Sequence, residues 1–104
     1  MYSKSNLNKL AHVGELAPET MTAFRAWDKL ALADGAIPKK YKELMAIAVA
    51  LTTQCPYCIE VHRQQAIVAG ATETELAETV HVAAALRAGG AITHGTHLFE
   101  GSGD

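Results

Sequence analysis

Apolar residues dominate the chain from Tyr41 to Thr53, with no Gly or Pro, and Leu44 to Leu51 is apolar all round. That pattern predicts a helix opened by Pro38 and buried on most of its sides. A buried strand is the rival reading; the total length and the alanine content favour a helix. Upstream, Phe24, Trp27 and Ala31 recur at helical spacing behind Pro18 and Glu19, which suit a helix start, and Asp34-Gly35 stops that helix. Residues 1 to 17 have weaker periodicity and are expected to hold a short helix around Leu7 to Val13. Downstream, Cys55-Pro56 begins a third helix that Gly70 ends. Thr72 and Glu75 form a capping box for a fourth, which runs through Val80 and Leu86 to Gly89-Gly90. A last helical stretch is expected over 91–98, then a frayed tail over 101–104. No segment alternates with strand period and no internal repeat stands out. The expectation is an all-α single-domain helical bundle with its core over about 18–98, built on an antiparallel helix hairpin.

Composition adds one point. Of the 104 residues 49% are apolar, enough for a core, but many are alanine, which buries little area. A small chain of this kind is often completed by neighbouring copies, so a homo-oligomer is expected. The formal net charge of −2 and the absence of a basic stripe argue against nucleic acid; Lys39, Lys40 and Lys42 read as a local cluster only. The polar start runs into no long apolar stretch, and Leu44 to Leu51 is too short to span a bilayer. A cytoplasmic protein without membrane association is the expectation. In that compartment two cysteines three apart suggest redox or metal chemistry before a structural disulfide.

The spacing carries the chemistry. Cys55, Cys58 and His62 sit at offsets of three and four on the third helix, which puts them on one stripe. Cys55 lies at or next to the helix N-terminus, where unpaired N–H groups favour a thiolate. His62, one turn beyond Cys58, can take its proton or stabilise its anion. If the second and third helices form a hairpin turning at Gln54 to Cys55, Glu43 lies roughly 17 Å along one and His62 roughly 11 Å along the other. The two are then offset by about one turn and can meet directly or through one water. A carboxylate there would fix the imidazole tautomer and raise its basicity. Glu43–His62–Cys58 thus reads as a proton relay feeding a thiol pair.

The pattern Glu43…Cys55-Pro56-Tyr57-Cys58…His62 resembles the alkylhydroperoxidase D family, within the carboxymuconolactone decarboxylase-like superfamily. The resemblance extends over roughly 36–98, including Ala83-Ala84-Ala85-Leu86-Arg87-Ala88-Gly89-Gly90 and Thr93-His94-Gly95, and matches the single-repeat members. It implies an all-α fold around a helical hairpin, trimers or hexamers, and hydroperoxide reduction through the cysteine pair without a cofactor. In that scheme His62 activates Cys58, Cys55 is its disulfide partner, Glu43 is the relay carboxylate, and an external dithiol, protein or lipoyl-type, restores both thiols. One departure stands out. Some members carry a histidine immediately before the second cysteine; here Tyr57 takes that place, which removes one polariser.

Other readings stay open. The same residues serve disulfide exchange without peroxide as substrate. In a different class, a metal-binding or structural oligomeric module, Cys55, Cys58 and His62 would supply three ligands and His94 or His97 a fourth. His94 and His97 otherwise read as a surface or interface pair, Phe24 and Trp27 as core or subunit contacts, and Tyr57 as a shield over the thiols.

Overall fold

A computed structural model describes residues 3–101; the remainder of the expected frayed tail, 102–104, lies outside the described residues. A 3-10 segment Lys4–Lys9 leads into α1 (Leu10–Leu16), followed by α2 (Pro18–Leu32), α3 (Lys39–Thr53), α4 (Pro56–Val68) and α5 (Glu73–His94), with a closing 3-10 turn Gly95–Leu98. No strand occurs among the described residues. The architecture is all-helical, as its periodicity predicts.

The α3–α4 hairpin is the centre. Its turn uses only Gln54 and Cys55. Gln54 takes the left-handed conformation at φ 58°, ψ 46°, where a side chain costs roughly 1–2 kcal/mol, and the Cys55 N–H then donates to Ala50 O at 3.1 Å. The far end of α4 closes at Gly70, φ 100°. There Gly70 N–H donates to Ile67 O (3.0 Å) and Ala71 N–H to Ala66 O (2.9 Å), the paired bonds of a Schellman ending. The capping box forms as the sequence predicts: Thr72 N–H donates to Glu75 Oε1 at 2.9 Å and Glu75 N–H to Thr72 Oγ1 at 3.1 Å. α5 packs on α3, and α1 on α2.

The buried apolar residues are Ile47 and Ala50 of α3, Ala66 of α4 and Ala83 of α5. Small side chains let the three helices approach closely, but such a core shields little area. α3 is accordingly not buried on most sides within one chain. Tyr41, Met45 and Val49, one stripe at spacing four, are exposed. The radius of gyration is 17.6 Å, against about 13 Å for a compact domain of this length. The surface of 8000 Å² exceeds by about 40% the roughly 5,700 Å² of a compact monomer of this mass.

Two boundaries differ from the sequence reading. Gly89-Gly90 does not end a helix: α5 runs on to His94. A glycine stops a helix by taking positive φ after the last turn, and neither of these does; each merely weakens the helix by about 1 kcal/mol. The stretch expected over 91–98 is therefore the end of α5 plus a 3-10 turn. At the other end, helical structure spans more than Leu7 to Val13, from Lys4 to Leu16.

Candidate active site

Cys55 is the N-cap of α4. Its Sγ accepts the Cys58 N–H at 3.3 Å, so the sulfur occupies the place of a capping oxygen. Hydrogen bonds from the Cys58 thiol and the Cys58 backbone hold the Cys55 thiol below its usual range. The same neighbour acts oppositely on Cys58, which is pushed up to about 11, first by its hydrogen bond with Cys55, then by burial and the Cys55 charge, with a smaller push from Asp28. The two sulfurs therefore titrate as a pair holding one charge, and in the resting dithiol that charge favours Cys55.

Glu43 is a buried charged residue, 1% exposed. Both its oxygens are engaged: Oε1 lies 2.7 Å from His62 Nδ1, and Oε2 accepts from Lys39 Nζ at 2.8 Å. The hairpin brings Glu43 and His62 into direct contact, with no intervening water needed. His62 and Cys58 line one cavity of about 480 Å³. Tyr57 and Val61 of α4 share that wall. The opposite wall is Asn6 and Leu7 of the first 3-10 segment, Leu10 of α1, and Phe24 and Asp28 of α2. Cys55 does not line the cavity.

The N-terminal wall had no signal in the sequence pattern. Asn6 Nδ2 donates to the Tyr57 hydroxyl at 2.9 Å, and the Ser3 N–H donates to it at 3.4 Å. Tyr57 thus ties the first turn to the cysteine motif as well as standing beside the thiols. Phe24 belongs to the cavity wall, where the sequence suggested core or subunit contact; Trp27 is 72% exposed. His94 and His97 stack edge to face, centroids 4.8 Å apart. Among the described residues no three His, Cys, Asp or Glu side chains converge as a metal site, so the metal reading gains no geometric support.

Fold and site together define an all-helical dithiol protein with a carboxylate–imidazole pair whose imidazole lines the same cavity as Cys58. The chain belongs to the carboxymuconolactone decarboxylase family, whose model matches residues 18–101. A crystal structure of an apo member of that family from Legionella pneumophila is similar, with TM-score 0.75 and 41% identity over 80% of this chain and 74% of that one. The uncharacterized protein 4 in the cox locus of Paracoccus denitrificans is 50% identical over 72 residues, 69% of this chain and 65% of that protein. An alkyl hydroperoxide reductase of Mycobacterium tuberculosis is more distantly related, 34% identical over 64 residues, 60% of this chain and 19% of the reductase. No helix among the described residues is long and apolar enough to cross a membrane.

Proposed function

We propose that this protein is a thiol-dependent peroxidase that reduces hydroperoxides through a Cys55–Cys58 dithiol–disulfide cycle. The observation that carries the reading is the Glu43–His62 contact at 2.7 Å on the wall that Cys58 shares. The name of the mycobacterial relative supports it.

With Nδ1 donating to Glu43, His62 keeps Nε2 free to take the Cys58 proton. The Cys58 thiolate attacks the distal peroxide oxygen; the O–O bond breaks, and the leaving alkoxide takes a proton from His62 and departs as alcohol. Cys58 is now a sulfenic acid. Cys55 attacks that sulfur, water leaves, and the disulfide forms. An external dithiol, a protein or a lipoyl-type group, reduces it by exchange and is itself oxidised. Such cycling suits a reducing compartment such as the cytoplasm. The exposed stripe of α3 and the excess surface support a homo-oligomer as the working unit, for which the family resemblance implies a trimer or hexamer.

Thiol titration before and after one equivalent of hydroperoxide tests the reading: two thiols should be lost with no change in oligomer mass. Full peroxide turnover by Cys58→Ser with a dithiol supplied would sink it. A second reading, disulfide exchange without peroxide, is favoured by one observation, the lowered pKa of Cys55 at a helix start. Faster reaction of the oxidised or reduced pair with disulfides and dithiols than with peroxide would select it.

A further inference from the structure

The three lysines at the start of α3 are not a solvated cluster. Lys42 Nζ donates to Ala33 O at 2.8 Å, Lys40 Nζ pairs with Glu75 Oε2 at 2.9 Å, and Lys39 Nζ pairs with Glu43 Oε2 at 2.8 Å while lying 3.4 Å from Leu32 O. Lys39 is the unusual one. A cation in a helix's first turn opposes the macrodipole, and Lys preceding Glu by four is the weaker order for such a pair. Helix stability does not account for it.

Charge bookkeeping at Glu43 does. The carboxylate is buried, and a neutral His62 would leave it without a counter-charge. Lys39, 38% exposed at its side chain, supplies that charge and, being a donor only, leaves Oε1 to accept from His62 Nδ1. Carboxylate, ammonium and neutral imidazole then sum to zero with Nε2 unprotonated. Without the ammonium, neutrality requires one more proton from solvent. On Glu43 it would donate to Nδ1 and move the imidazole proton to Nε2; on His62 it would make imidazolium. Either way Nε2 carries a proton and can no longer accept one.

We propose that Lys39 is a positioning residue that keeps His62 in its Nδ1–H form and so keeps Nε2 free. The proposal rests on the reading of His62 as the base for Cys58, but its first test does not need activity. Nitrogen-15 spectra of the His62 ring in the full-length protein should show Nδ1 protonated and Nε2 bare in the wild type and in Lys39→Arg, and Nε2 protonated in Lys39→Met. Lys40→Met removes an adjacent cation away from Glu43 and should leave the wild-type pattern. If Lys39→Met does not fold, Lys39→Gln, which keeps a donor without the charge, is read the same way. A bare Nε2 in the neutral variant overturns the proposal. Peroxide-driven oxidation of Cys58 should fall about 100-fold in Lys39→Met, the scale of a lost general base, and return with Lys39→Arg. A wild-type protein inert to peroxide would fail the functional reading while the ring spectra still decide the role of Lys39.

Discussion

Replacing Cys55 by serine separates the electrostatic influence of that sulfur from its structural one. The serine hydroxyl is a good N-cap and can accept the Cys58 N–H that Cys55 Sγ now accepts at 3.3 Å, so the start of α4 is retained. What disappears is the hydrogen bond with the Cys55 sulfur, the leading cause of the rise of Cys58 from 9.0 to about 11, together with the Cys55 charge, while burial remains. At pH 8 a thiol at about 11 is ~0.1% ionised and one at 9.0 is ~9% ionised, so full relief is nearly a hundredfold gain in thiolate. A less basic thiolate is also a weaker nucleophile. With a Brønsted slope of about 0.4–0.5, two units of basicity cost roughly eightfold, so the net gain at pH 8 is at most about tenfold and smaller by what burial retains. The assay is the pH–rate profile for alkylation at Cys58, with fragment-ion mass spectrometry separating the two sulfurs on one peptide. The midpoint should move down from about 11 towards 9.0 in Cys55→Ser. A midpoint that stays near 11 would refute the reasoning and assign the shift to burial and Asp28.

Ala66, fully buried against the hairpin, leaves no room for a larger side chain; Ala66→Leu should cost about 1–3 kcal/mol, read as a lower denaturant midpoint, and an unchanged midpoint would show that the helices can spread freely. Thr72→Ala removes one half of the capping box and should cost about 1 kcal/mol, a fall in Tm of about 4–8 °C in a domain of this size, with no change expected in thiol reactivity. Tyr57→Phe deletes the acceptor of Asn6 and of the Ser3 N–H; at about 1 kcal/mol for the shorter bond alone, amides of the Lys4–Lys9 segment should exchange at least about fivefold faster, and equal protection would mean that these bonds hold nothing in place.

The sequence already contained what local rules can encode. Pro18, Pro38 and Pro56 mark helix starts because proline has no N–H to leave unpaired, the Thr72–Glu75 box because it pairs backbone donors, and Gly70 a helix end because its positive φ lets N–H groups pair with the last carbonyls. The offsets of Cys55, Cys58 and His62 hold on any helix, and a two-residue turn at Gln54 was enough to bring Glu43 to His62. The misreadings come from features that depend on neighbours. Gly89-Gly90 resembles a terminator, but only positive φ would make it one. The apolar girth of α3 anticipates burial that a single chain does not supply. The role of Lys39 is invisible until Glu43 is known to be buried, and Asn6, Leu7 and Leu10 reach the cavity only because α1 folds back along α2.

The sulfur of Cys55 caps α4, and in the proposed cycle the same sulfur also carries the disulfide with Cys58. A thiolate is a charged acceptor and binds an N–H more strongly than a neutral sulfur does. In the proposed cycle, closing a disulfide on Cys55 would replace a charged acceptor by a neutral one and loosen the first turn of α4, and reopening it would tighten that turn. The oxidation state would then be written into the fraying of a helix end, and the exchange rate of the Cys58 amide would report it without any label on sulfur.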